Sequence, residues 1–244
     1  MGTYGALAHT MWMGGYDLGA DLTQMGLTVT FEPLKDTRFG MTAHSRRGGL
    51  ADVQASVNGF HQVGDDLVDA ELWSQFSETM QPVTQTPTGT VGDVAYFYQA
   101  RKFTQSLFGN VGELAPFTIG AQGVRGPGTL SAGAIRGRLL VPKGDVSGTG
   151  GAGSVVQLGA VASNQYVYAA VHVFSAGTTL TFTISSDDNA GFTSGTTRAT
   201  VGPLTTTGGT WVTRVAGPIT DDYWLVNVTA ITGTFNIAVA VGIQ

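Results

Sequence analysis

The chain contains no cysteine, so it holds no disulfide and no thiolate-bound metal. Its stability must come from packed cores or from assembly with other chains. Charge is also scarce: Asp, Glu, Lys and Arg make up 12% of 244 residues, and the net charge is −5. An extended phosphate-binding surface needs clustered excess Lys and Arg, so this balance argues against a nucleic-acid binder. Long apolar runs are missing too. The run FNIAVAVGI near the C-terminal end is far below the ~20 residues a membrane helix needs. The opening MGTYGALAHTMWMGGYD has neither the basic n-region nor the apolar stretch of a signal peptide. The expectation is a soluble chain without an export or anchoring signal.

What the chain has in abundance is glycine, 36 residues, together with threonine, a composition that disfavours helix and suits twisted sheets joined by tight turns. The expected fold is mainly β, and the length allows one large or two modest domains. The span VSGTGGAGS, residues 146–154, has no side chains able to pack and reads as a flexible connection. It divides the chain into 1–145, a linker at 146–154, and 155–244. The surfaces differ, because only two of the 12 Lys and Arg, Arg198 and Arg214, follow Val146.

The second part alternates in a strand-like way. In TLTFTISS, Leu180, Phe182 and Ile184 share one face and the threonines the other. YVYAAVHVF, YWLVNVTAI and TFNIAVAVGI are similar runs and WVTRVAGPI is a shorter one, with glycine, proline and Asp-Asp turns between them. This spacing predicts an antiparallel β-sandwich of jelly-roll type. In the first part, LTVTFEPL and ADVQASVNGF read as strands around a long charged loop, Glu32 to Gly49, and VAYFYQARKFTQSLFG and FTIGAQGVRG read as further strands. One helix is expected between them. Asp65 or Asp66 would cap it, Val68, Leu72, Phe76 and Met80 recur at every fourth residue, and Pro82 would close it. The first part is therefore expected to be a β-sandwich with one helix packed on it.

Chemistry is hard to find. Gly148, Gly150 and Gly153 have dinucleotide-loop spacing, but a strand-like run follows instead of a helix. His9, His44, His61 and His172 are scattered, which disfavours a zinc site. His172 is expected as a packed, hydrogen-bonded core residue. No serine sits in a nucleophile elbow. Asp187 with Asp221 or Asp222 is the best acid pair for a glycosidase, without a sign that they face each other. The basic pairs Arg46/Arg47, Arg101/Lys102 and Arg136/Arg138 read as solvated or subunit-bridging charges. SSDDNAGFTSGTTRAT, Ser185 to Thr200, fails calcium-loop spacing because the sixth position from Asp187 is Phe192. It reads as a turn in which Asp and Asn bond nearby backbone, Gly191 takes a positive φ and Phe192 returns to the core. No catalytic, metal or cofactor-binding residue is assigned, and the chain is not expected to be an enzyme.

The ordered set YAAVHVF, SDDNAGFTSGTTRATV, WVTRVAGPITDDYWLVNVT and FNIAVAVGI, with IRGRLL and VVQLGAV before it, resembles a block of siphophage major tail proteins, covering most of Val155 to Gln244. More loosely, GGYDLGADL, a strand, the charged loop with RRGGL, and SVNGF resemble the tail tube domains of long-tailed phages. The resemblance implies a tail-tube-like N-terminal sandwich whose sheets close into rings that stack into a non-contractile tail, a conduit for genome ejection. It implies homohexameric rings, with trimeric rings as the alternative. Its implied partners are the tape measure protein, the tail terminator and tail tip proteins, and its implied location is the virion, after assembly in the host cytoplasm. DNA would pass through the lumen without specific binding. Lys35, Asp36, Arg38, Arg46 and Arg47 in the long loop are then the candidates for contacts between stacked rings. The rival reading is a tail-tip or head-surface module binding host glycan, with Trp211, Tyr223 or Trp224 as stacking platforms.

Overall fold

The computed structural model describes residues 9–39, 42–62, 64, 68, 73, 80–124 and 133–244. The strands are β1 (Thr10–Met13), β2 (Tyr16–Asp17), β3 (Leu22–Lys35), β4 (Arg46–Phe60), β5 (Gln81–Thr86), β6 (Val94–Leu107), β7 (Pro116–Gly123) and β8 (Ile135–Val146). They continue as β9 (Gly150–Gln157), β10 (Tyr166–Ser175), β11 (Thr179–Asp187), β12 (Thr196–Leu204), β13 (Gly208–Trp211), β14 (Val215–Ala216), β15 (Tyr223–Thr232) and β16 (Phe235–Ile243). The chain is mainly β, built from antiparallel sheets in a sandwich-like layout. No helix among the described residues is long and apolar enough to cross a membrane.

One sheet of 12 strands runs β13-β10-β16-β8-β6-β5-β1-β2, and β12-β11-β15-β9 form a second. β6 is the branch point. Its first residues pair with β8 (Val94↔Arg138) and β5 (Tyr96↔Gln85), while its second half, Ala100 to Leu107, pairs with β7. From β7 the sheet continues through β4 to β3. A strand of 14 residues therefore serves two layers, and both ends of it are anchored by different neighbours.

Period-two alternation places different cores on opposite faces of the large sheet. In β16, Ile237, Val239 and Val241 pack with Phe182, Ile184, Trp224 and Val226 of the second sheet, forming the core of the C-terminal sandwich. The intervening Ala238 and Ala240 face the other way, where with Ala170 and Ala95 they make room for Trp12, Phe97 and Tyr168. A third core joins Met11, Met13 and Val83 to Val53, Val57, Phe117 and Ile119 across the N-terminal layers. Full burial of a side chain such as Phe182 or Phe97 contributes about 1.5–3 kcal/mol relative to leaving it exposed. The middle core exists because the large sheet curls: β10 and β13 return against β5 and β2. The approach is so close that a Cβ at Gly209 would collide with the Pro82 ring and one at Gly15 with the Gly208 backbone.

The glycine-rich span 146–154 carries the end of β8, a turn over Ser147, Gly148 and Thr149, and the first residues of β9. Its glycines serve geometry: Gly153 has φ 76°, and a Cβ there would meet the Leu140 carbonyl. β8, although it precedes this turn, pairs with β16 and sends Leu140 and Val141 into the C-terminal core. The span Glu32 to Gly49 is not one long loop. β3 continues through Lys35, β4 starts at Arg46, and these two residues are paired, leaving 36–45 as the connection.

Of the expected helix, Val68 and Trp73 are helical, with Val68 buried in the N-terminal core. Asp65, Asp66, Leu72 and Phe76 lie outside the described residues, and Pro82 sits within β5. WVTRVAGPI is divided between the end of β13, the two-residue β14 and an isolated bridge of Ile219 to Val161. Lys102 is not the solvated charge expected from its pairing with Arg101. It is fully buried, donates to the Gln105 side chain at 2.8 Å, and burial pulls its pKa down to about 8.

Candidate functional site

The feature that the folded chain leaves unexplained by itself is the β3–β4 hairpin. Register pairs Met25 with Val57, Leu27 with Ala55, Val29 with Val53 and Phe31 with Ala51, so these side chains share one face. Near the body this face packs on the N-terminal core: Met25 and Leu27 are partly covered and Val53, Ala55 and Val57 are buried. Farther out the same apolar pattern continues into residues that are exposed. Val29 is 42% exposed and Phe31 57%. Beyond a register shift at Phe31/Pro33, Leu34, Phe39 and Leu50 are exposed as well. Between the hairpin and β5–β6 opens a groove of about 470 Å³, lined mainly by apolar groups of Met25, Leu27, Val29, Pro87 and Tyr96.

The opposite face of the hairpin and its neighbours is polar and almost uncharged. Gln24, Thr28, Gln54 and Ser56 continue sideways into Thr118, Gly120 and Gln122 of β7 and Thr104 and Ser106 of β6. Asn58 donates to the Gln24 side chain at 3.0 Å and accepts from Thr118 Oγ1 at 2.8 Å, and Gln54 Nε2 donates to Asp52 at 2.9 Å. Asp52 and Arg101 are the charged residues in these rows.

Of the sequence-predicted contact residues, Asp36, Arg38 and Arg47 come together at the hairpin end. Asp36 accepts from Arg47 Nε at 2.7 Å and lies 3.6 Å from Arg38 Nε. Lys35 and Arg46 are exposed and face each other as a cross-strand pair, a like-charge juxtaposition that costs stability unless a partner compensates it. Sequence reasoning found these charges but missed the exposed Phe31, Leu34 and Leu50 among them. The signal for Phe31 was the alternation in LTVTF carried past the point where a sandwich core ends. The β6–β7 connection is similar, with Phe108 (φ 69°), Val111 and Leu114 exposed.

The other candidates resolve into structural roles. His172 is fully buried: its Nδ1 donates to the Gly14 carbonyl and its Nε2 accepts from Thr84 Oγ1, both at 2.8 Å. A carbonyl only accepts, so Nδ1 carries a proton, and in the neutral ring that burial favours Nε2 is the acceptor. Burial lowers its pKa to about 4, against smaller opposing effects of the Gly14 bond and the Asp17 charge.

In the loop after β11, Asp187 accepts from the backbone N–H of Asn189 at 3.1 Å and of Ser194 at 2.8 Å. The Ser194 bond is the main reason that its carboxyl lies below the usual range, while the hydrogen bond to Asp187 raises Asp188. The positive φ falls on Phe192 (51°), not on Gly191, and its half-buried ring lies over Gly195 instead of returning to the core.

Asp221 is held by Ser186 Oγ at 2.7 Å and Arg198 Nη2 at 2.7 Å, and these two hydrogen bonds keep its pKa low. Asp187 and Asp221 are thus each engaged by neighbours as carboxylates, an arrangement suited to fixing loops. As for stacking platforms, Trp224 is fully buried, Tyr223 is half-buried, and the half-buried Trp211 packs on Phe97 and Tyr168. Among the described residues, no group of three His, Asp or Glu is placed to hold a metal ion.

No family model matches the chain, and no curated protein matches it. Among solved structures, a chain from the virion of a native gene transfer agent particle is similar at 13% identity and a TM-score of 0.40, over 51% of this chain and 96% of that one. The crystal structure of the Dit protein of phage SPP1, described as a hub of the adsorption apparatus in phages infecting Gram-positive bacteria, is similar over 97% of this chain and 99% of that one, at 12% identity and a TM-score of 0.36. The SPP1 tail tube, solved by solid-state NMR and cryo-EM, is similar over 55% of this chain and 78% of that one, at 10% identity and a TM-score of 0.44.

Proposed function

We propose that this chain is a structural protein of a phage tail that assembles with copies of itself into rings, and that the rings stack into a tube through which the genome leaves. The observation that carries the reading is the β3–β4 hairpin. Its apolar face continues beyond the core it serves with Val29 and Phe31 exposed, and Leu34, Phe39 and Leu50 are exposed toward the hairpin end. Among the described residues β3 pairs with β4 alone, which leaves its outer edge without a partner strand there. A free edge beside an exposed apolar face invites pairing with another chain, and a closed ring of identical copies satisfies every such edge. The ordered sequence motifs that resemble those of siphophage major tail proteins point the same way.

In this proposal residues 1–145 supply the tube-forming part and 155–244 an outward sandwich, in six-fold rings. The neutral face carrying Gln24, Thr28, Gln54, Thr118 and Gln122 lines the lumen. A wall with little positive charge lets a polyanion slide, whereas clustered Lys and Arg would hold it. Lys35, Asp36, Arg38, Arg46 and Arg47 meet the next ring, where an acidic group opposite the Lys35/Arg46 pair relieves its repulsion. The tape measure protein, tail terminator and tail tip proteins are the further partners in this scheme, and the virion is its location.

The test is sedimentation and negative-stain electron microscopy of the purified chain beside a Phe31→Ser/Leu50→Ser variant. Tubes or stacked rings from the parent and a folded, unassembled variant support the reading. A parent that stays monomeric at high concentration, or a variant that polymerises equally well, overturns it.

A further inference from the structure

We propose that the cleft between β12 and the β13–β14 edge is a binding site for a saccharide carrying a phosphate or carboxylate group. The cleft has a volume of about 590 Å³, roomier than a lone anion needs, and its wall is an even mixture of polar and apolar groups. It lies between two strands that, among the described residues, each pair on one side only, β12 with β11 and β13 with β10. Threonines 200, 210 and 213 line it, groups of the kind that hydrogen-bond sugar hydroxyls.

Arg198 and Arg214, the two basic residues after Val146, both line this one cleft. Arg198 is braced from behind: Nε donates to Ser186 Oγ and Nη2 to Asp221, each at 2.7 Å, which leaves Nη1 without an acceptor among the described residues. The guanidinium of Arg214 lies 3.9 Å over the Tyr166 ring and has no carboxylate partner among the described residues. Among the described residues its buried Nη1 has no hydrogen-bond acceptor, and neither has the buried Nε1 of Trp211, another residue of the lining. Buried donors are seldom left unpaired, and a guanidinium fork fits the oxygens of a carboxylate or phosphate. Asp221 engages Arg198 directly, and Asp187 and Asp188 lie close enough to act on Asp221, so the cation left without a carboxylate among the described residues is Arg214.

Calorimetric titration of the full chain with glucose 6-phosphate, glucuronate, glucose and inorganic phosphate tests this inference. The expected result is that the two sugar anions bind about tenfold or more tightly than either glucose or inorganic phosphate. Arg214→Gln should weaken both by about tenfold with an unchanged thermal midpoint, and Arg214→Lys should fall between. Thr200→Trp, at an exposed position of the wall, should block binding without touching either arginine. The inference is overturned if neither sugar anion binds at millimolar concentration, if inorganic phosphate binds as tightly as the sugar phosphate, or if Arg214→Gln and Thr200→Trp bind like the parent. None of these outcomes bears on whether the chain forms tubes, so the two readings fail separately.

Discussion

Thr84 Oγ1 and His172 Nε2 lie 2.8 Å apart in a fully buried setting, joining residues separated by 88 positions in the chain. With the Gly14 carbonyl on the other ring nitrogen, this bond fastens β10 to β5 and to the β1–β2 turn, where the large sheet curls back on itself. The ring is held neutral and its folded-state pKa, about 4, lies below the ordinary 6.5. Between those values the unfolded chain binds a proton that the folded chain does not, so stability rises with pH there. The prediction is full stability from this residue above pH 6.5, progressively lost as pH falls toward 4, by at most about 3 kcal/mol. Urea midpoints measured at pH 7.5 and 5 should show the drop, and His172→Gln should flatten it.

The 146–154 span makes a paired prediction. Gly153→Ala places a Cβ against the Leu140 carbonyl at a φ of 76°, and should cost about 1–3 kcal/mol. Gly148→Ala has no atom within 4 Å of its new Cβ and no positive φ, and should stay within about 0.5 kcal/mol of the parent. Equal tolerance of both in thermal melts would mean that the span is a loose connection.

The loop after β11 should depend on one of its two acids. Asp187→Ala removes the acceptor of the Asn189 and Ser194 amides and should lower the thermal midpoint. Hydrogen exchange should quicken at those amides. Asp188→Asn relieves the proximity that raises the Asp188 pKa and should leave stability unchanged within about 0.5 kcal/mol.

These residues also show what the sequence made legible. Alternation in TLTFTISS, YVYAAVHVF and FNIAVAVGI located β11, β10 and β16, and the position of His172 on the apolar side of its strand foretold a packed, bonded ring. The curl of the large sheet was hidden, because it depends on alanines at 170, 238 and 240 and on glycines at 15 and 209 meeting across long separations. Composition suggested looseness throughout VSGTGGAGS, where Gly153 serves a tight strand approach. In the candidate site, charge drew attention to Lys35, Asp36, Arg38, Arg46 and Arg47, while the apolar residues between them escaped notice. An exposed Phe31 and a core phenylalanine look alike until the body of the sandwich shows where coverage ends.

The account rests on the β3–β4 hairpin as a contact between copies. A cryo-EM reconstruction of particles formed by the purified chain tests it most directly. The predicted result is a ring with an open lumen in which Phe31, Leu34 and Leu50 are buried against a neighbouring copy and the Gln24, Gln54 and Thr118 face lines the channel. Particles in which the hairpin stays exposed to solvent, or a chain that forms no ring at all, would contradict it.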